Sequence, residues 1–290
     1  MIKEFEIFIL DNQRRLGYAE YGDPNGKPVF YFHGFPGSRL EGRSLADAAL
    51  KAGVHLITTD RPGYGLSDFQ RERVMLDWPW DIVRLADGLG IEHFAILGHS
   101  GGGPYTLSCA YALPERVSRA AIVAGLGPLG APGVMRGADP FTHLSFWSIR
   151  RAFWLAALGV CVMNLSVHLN AKLSQRVLIL GMHSPDRDLY ANHPEIRANE
   201  VEIAHQVFSQ GVRGPIHDLS LYRNWGFSLA HIRRTVQFWQ GEQDSLVPPE
   251  MARWQANHIQ NSQVRMLSKE GHYTILRNYG EQILRELIER

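Results

Sequence analysis

Residues 98–102 read GHSGG, a serine held among glycines directly after the apolar run FAIL (94–97). A serine hydroxyl is a weak nucleophile, and it attacks only when a neighbouring base removes its proton. A sharp strand–turn–helix exposes such a hydroxyl but crowds the backbone around it. Small residues two places before and two places after relieve that crowding. Gly98 and Gly102 occupy those places, so the pattern marks Ser100 as a candidate nucleophile for attack on a carbonyl. A structural serine in a glycine-rich turn is the plain alternative. A helix beginning at Gly101 leaves backbone N–H groups unpaired, and the Gly101 N–H could face a developing oxyanion. The loop HGFPGS (33–38) offers a second donor, the N–H of Phe35.

The chain has 13 histidines, so the base has to be chosen by position. Hydrolytic triads built on a G-x-S-x-G turn run in the order Ser, Asp or Glu, His. That order selects Asp244 in GEQDSLVPP (241–249) and His272 in EGHYTIL (270–276), with Glu242 as the competing acid. An aspartate there would accept one ring N–H of His272, fix its tautomer and stabilise the imidazolium. His33 reads as a residue that shapes its loop. Asp60, Arg61 and Ser67, in DRPGYGLSD (60–68), read as turn and loop-pinning residues. His143, His168, His183, His193, His205 and His217 lack the spacing of a metal set, so no metal site is expected.

Each of these residues stands at the end of an apolar run. FEIFIL (5–10) and RRLGYAEYG (14–22) read as an opening antiparallel pair. VFYF (29–32), VHLITT (54–59), FAIL, RAAIVAG (119–125), TVQFWQ (235–240) and QVRMLS (263–268) read as short buried strands. Helical patterns over 40–52, about 77–90, after Gly101 and from about Gly280 to the end separate them. Alternating strands and helices predict an α/β fold, a mostly parallel sheet covered on both faces. Ligands in such sheets lie at the carboxyl ends of the strands, where these glycine-rich loops fall. Residues 126–214 carry little strand signal. They read as a helical cap inserted into one core made of 1–125 and 215–290.

Formal net charge is +1, from 30 basic and 29 acidic residues without a like-charge run, which excludes a nucleic-acid surface. Cys109 and Cys161 read as reduced, buried thiols. The start, MIKEFEIFIL, alternates like a strand and is no secretory leader, so the cytoplasm is the expected location. The uncharged stretch 152–171 is long enough to span a bilayer, but Asn164, Ser166 and His168 interrupt it. It reads as a buried helix, with contact at a membrane surface as the second reading and no stable span.

Together, HGFPGS, DRPGYGLSD, GHSGGG and the pair GEQDSLVPP with EGH resemble the capped, HGFPG-containing group of α/β-hydrolase fold proteins. DLSLYRNWGFSL (218–229) resembles the stretch that returns this group's chain from cap to core. The resemblance covers about two-thirds of the chain. It implies the fold and the roles of Ser100, Asp244, His272, Phe35 and Gly101, with no cofactor. Epoxide hydrolases and haloalkane dehalogenases share the HG-x-P loop but carry an aspartate at the elbow; serine there implies attack on a carbonyl.

Hydrolysis of a carboxylic ester or lactone through an acyl-enzyme is the leading expectation. Phe146, Trp147, Phe153 and Trp154 are candidate pocket residues for a small apolar or aromatic acyl substrate. Glu195, Glu200 and Glu202 read as a solvated helix face; their functional alternative is binding a free amino terminus, as in proline iminopeptidases. A C–C bond hydrolase, a perhydrolase and a non-catalytic ligand receptor remain on the same scaffold. A burst of p-nitrophenol separates the enzymes from the receptor.

Overall fold

The computed structural model describes residues 2–289, and within one long helix it does not describe the side chains at 174, 177, 178, 180 and 181. Eight strands form one sheet: β1 (Ile2–Ile9), β2 (Arg15–Gly22), β3 (Lys27–Phe32), β4 (Val54–Thr59), β5 (Phe94–His99), β6 (Val117–Val123), β7 (Val236–Gly241) and β8 (Ser262–Leu267). Their spatial order is β1-β2-β4-β3-β5-β6-β7-β8. β1 and β2 are antiparallel, and β2 is antiparallel to β4. From β4 to β8 every pairing is parallel.

Side chains alternate between the two faces with the two-residue period of a pleated strand. Phe30 and Phe32 of β3 join one core with Ile96 of β5 and Ile122 of β6. Val29 and Tyr31 join the opposite core with Leu97 and Val123. The first core is closed by α2 (Trp78–Gly88), α3 (Gly103–Ala112) and α9 (Pro249–Asn257), through Trp78, Ile82, Tyr105, Leu107 and Met251. The second is closed by α1 (Ala46–Ala52) and α10 (Thr274–Ile288), through Ala49, Ile283, Leu284 and Leu287. Helix α10 begins at Thr274, two residues past His272 and earlier than the sequence suggests.

Between β6 and β7 the chain inserts α4 (Pro140–Arg151), α5 (Phe153–Gly181), α6 (Asp186–Asn192), α7 (Pro194–Val207) and α8 (Arg213–Leu221). Asp139 caps α4, its carboxylate accepting the N–H of Phe141 at 2.8 Å. Helix α5 bends at Asn170, whose φ of −162° and ψ of 87° leave the helical region. The side-chain Oδ1 of Asn170 then accepts the Leu173 N–H at 3.0 Å and caps the restarted helix.

Two expectations fail in this insertion. In the apolar part of α5, within Phe153–Leu173, only 11% of the residues of its most apolar window are buried, so it is not a core helix. Cys161 lies on it and is exposed, whereas Cys109 of α3 is buried as expected. Composition alone shows that this stretch is apolar; which side of a helix meets the protein depends on packing partners far away in sequence.

Candidate active site

Ser100 follows the last residue of β5 and opens a short 3-10 turn, Ser100–Gly102, that runs into α3. Its φ of +52° is strained for a residue with a side chain. Such strain at a strand–helix turn is the signature of a nucleophile elbow. Asp244 follows β7, His272 follows β8, and Phe35 follows β3. All four therefore stand beyond the carboxyl ends of strands in the parallel part of the sheet.

The His272 imidazole donates Nδ1–H to Asp244 Oδ2 at 2.8 Å. That bond leaves Nε2 as the proton acceptor. Asp244 is itself held in place. Its Oδ1 accepts the N–H groups of Leu246 at 2.9 Å and Val247 at 2.8 Å, and its Oδ2 also accepts from Gln240 at 3.0 Å. Glu242, the competitor, is instead near Arg253 at the surface. Burial pushes the His272 imidazole down. The charge and hydrogen bond of Asp244, with further help from Asp186 and Glu41, outweigh this and hold its pKa above the ordinary histidine value.

Ser100 and His272 line one cavity of about 580 Å³ with Phe35, Glu41, His99, Tyr190, Glu200 and Tyr273. The hydroxyl and the imidazole share this cavity without a hydrogen bond between them; catalytic hydrogen bonds often tighten only once substrate is bound. Gly101 and Phe35 approach closely: a Cβ built on Gly101 would lie 3.1 Å from the Phe35 nitrogen. The loop carrying Phe35 is clamped from both sides. Arg61 donates to the carbonyls of His33 at 2.5 Å and Gly34 at 2.8 Å. Glu41 accepts the Gly34 N–H at 2.9 Å. These contacts leave the next N–H, that of Phe35, aligned by its neighbours rather than by a bond of its own.

The buried residues expected to pin loops do so. Asp60 accepts from Arg39 and from the Leu66 N–H, and Ser67 bridges the Gly17 N–H and the Asp60 carbonyl. Arg61 pairs with Asp218 at 2.6 Å. Asp218 also pairs with Arg73 and accepts from Tyr64 at 2.9 Å and Tyr105 at 2.7 Å. His33 is fully buried with Nδ1 2.9 Å from the Gly34 carbonyl, and burial lowers its pKa to about 3. It stays neutral at physiological pH and serves no base role here.

The proposed aromatic pocket is placed elsewhere. Trp147 and Trp154 are exposed, Phe146 packs against the core, and Phe153 lies under the Arg223 guanidinium at 5.6 Å. None of the four lines the cavity beside Ser100, because α7 rather than α4 or the start of α5 faces it. Tyr31, Tyr190 and Tyr273 supply the aromatic surface there instead.

The acidic face of α7 also divides. Glu202 pairs with Arg43 at 2.6 Å and Glu195 with His193 at 2.9 Å. Glu200 faces the cavity near Glu41, and burial together with the Glu41 charge pushes its carboxyl up to about 8. Sequence reasoning missed Asp186 altogether. From the start of α6 its carboxylate accepts three consecutive backbone N–H groups, of His272 at 2.7 Å, Tyr273 at 2.8 Å and Thr274 at 3.2 Å. In sequence it is an ordinary aspartate at a helix start, with nothing to signal a partner 86 residues away.

The profile of the alpha/beta hydrolase fold family matches residues 27–279. The chain is 24% identical over 262 residues to an uncharacterized hydrolase, YugF, of Bacillus subtilis, covering 88% of this chain and 86% of that protein. It is 31% identical over 118 residues to epoxide hydrolase B of Mycobacterium tuberculosis, but spans only 33% of that protein. Among solved structures it superimposes on the esterase EaEST of Exiguobacterium antarcticum with a TM-score of 0.71, at 16% identity and 98% coverage of both chains. A match over that span, on a sheet of this order with a strained serine at the end of β5, makes the chain a member of the alpha/beta hydrolase fold family and a hydrolase.

Proposed function

We propose that this hydrolase cleaves a carboxylic ester or lactone through an acyl-enzyme. The observation that carries the reading is the Asp244–His272 pair, 2.8 Å apart, opening onto the same cavity as the strained Ser100. In this reading His272 Nε2 takes the Ser100 proton as the hydroxyl oxygen attacks the carbonyl. The N–H groups of Phe35 and Gly101 hold the oxyanion. His272 then gives the proton to the leaving alcohol, and the same base activates water to release the acid. The chemistry needs only these groups.

The cavity favours a neutral acyl substrate over one with a free amine. Glu200 is neutral near pH 7, Glu202 and Glu195 are paired, and Glu41 accepts from Gly34 and from Tyr31 at 2.9 Å. Of the other lining carboxylates among the described residues, Asp47 alone makes no such contact, and it is exposed.

A panel of p-nitrophenyl esters, lactones and proline amides tests the reading. Ester or lactone turnover that disappears in Ser100→Ala supports it. Turnover confined to proline amides, or unchanged in Ser100→Ala, overturns it.

A further inference from the structure

The helical insertion turns an apolar surface outward. On α5, Trp154, Leu158, Val162, Leu165, Leu169 and Leu173 are each more than half exposed, from 51% to 76%. Their spacing of three and four residues is the spacing of one helix face. At 100° per residue, Trp154 to Leu169 fall within an arc of about 80°. Val160 and Val167, both buried, point about 180° away. The helix is therefore apolar on both sides: valine lies against protein, and tryptophan and leucine face solvent. Helix α4 adds Phe141, Leu144 and Trp147, also exposed.

Apolar patches this continuous mark interaction surfaces. The charges around this one state which kind. Between Asp139 and Asp186 the chain contains no acidic residue. It contains Arg150, Arg151, Lys172 and Arg176, all exposed, standing at the two ends of the uncharged run. A whole-chain charge of +1 thus conceals a local +4, divided between the two ends of the uncharged run. Tryptophan and leucine bordered by basic residues is the pattern of a helix lying in a lipid headgroup region. A transmembrane passage does not fit, because α5 packs on α4, α7 and α8 and keeps Val160 and Val167 buried.

We propose that the outer face of α4 and α5 docks on the surface of an anionic phospholipid bilayer, with the apolar stripe in the headgroup boundary and the three arginines and Lys172 on the phosphates. This inference is independent of the ester reading. It concerns where the enzyme sits and not which bond it cleaves.

The test is flotation of the full chain with vesicles of phosphatidylcholine containing phosphatidylglycerol, and with vesicles of phosphatidylcholine alone. The wild-type chain should float with the anionic vesicles. Leu165→Glu with Leu169→Glu should weaken binding roughly tenfold or more on loss of apolar insertion. Arg150→Gln with Arg151→Gln should weaken it about 30-fold on anionic vesicles and little on neutral ones. Both double variants should keep the wild-type melting curve and the wild-type rate on a soluble substrate. A wild-type chain that does not float, or floats equally well with both double variants, overturns the proposal. So does a wild-type dimer by light scattering that the two glutamates split, since a second copy would then cover the face.

Discussion

The carboxylate of Asp186 accepts the backbone N–H of His272 at 2.7 Å and so ties the helical insertion to the loop that carries the imidazole. The same carboxylate takes the N–H groups of Tyr273 and Thr274 and sits at the start of α10. There it meets the unpaired donors and the positive end of the helix. Its charge also helps hold the His272 pKa up. In the proposed mechanism Asp186 is thus a positioning residue, acting through His272.

Asp186→Ala leaves buried N–H donors without an acceptor. Stability should fall by about 3 kcal/mol, read by denaturant unfolding. Asp186→Asn keeps one carbonyl acceptor but removes the charge. Activity requires neutral His272, so kcat/KM rises with pH through the imidazole pKa, which stands above about 6.5 in the wild type. In Asp186→Asn that rise should move to lower pH. A pH profile that stays in place while the protein merely loses stability would deny Asp186 any electrostatic role.

Glu200 makes stability depend on pH in the opposite sense from an ordinary carboxylate. Its folded pKa, about 8, lies above the unfolded value, so the folded state holds a proton that the unfolded state releases. Its contribution is fully present below about pH 4.3 and is lost progressively as pH rises to 8. Glu200→Gln cannot lose a proton. The melting temperature of the variant minus that of the wild type should therefore grow from pH 5 to pH 8 and level off above. A difference that is flat across this range would show that Glu200 ionises normally.

Asp218 behaves in the usual direction. Burial works against its charge, but Arg61, Arg73 and the tyrosine hydroxyls outweigh it and lower the pKa to about 2. Its stabilisation is present above the unfolded value and is lost as pH falls toward 2. Asp218→Asn leaves two buried guanidinium groups without a counter-charge and should cost about 3–5 kcal/mol. Because Arg61 also clamps the Phe35 loop, kcat should fall in the fraction that still folds. Wild-type stability and wild-type kcat in this variant would refute the coupling.

The elbow has no room for a methyl group at Gly98. A Cβ there would lie 2.1 Å from Thr106 Oγ1 and 2.6 Å from the Gly102 carbonyl oxygen. Gly98→Ala should destabilise by about 2–3 kcal/mol and lower kcat by displacing Ser100. Gly159 of α5 is a control, since a Cβ there meets nothing within 4 Å. Gly159→Ala should stabilise by up to about 1 kcal/mol through helix propensity. Calorimetric melts of the two variants compare them directly.

The eight strands were legible because short apolar runs ended in glycine-rich loops, a local signal. So were the places of Ser100, Asp244 and His272 beyond strand ends, because their order along the chain narrows the choice. The lining of the cavity was not legible. Phe146, Trp147, Phe153 and Trp154 are large and apolar, which suits a pocket, but a helix face is assigned by what packs on it. Glu200 shows the same limit from the other side: in sequence it is one more acid on a polar helix, and only the fold brings Glu41 against it. Asp186 and Asp218 act on partners 86 and 157 residues away. No spacing rule reaches that far.

The central claim is that the Ser100 oxygen becomes the nucleophile of an acyl-enzyme. Peptide mass spectrometry after treatment with a fluorophosphonate tests it most directly. A single adduct on the Ser100 peptide, absent in Ser100→Ala and strongly slowed in His272→Ala, is the predicted result. An adduct on another residue, or ester turnover that continues with Ser100 unmodified, would contradict it.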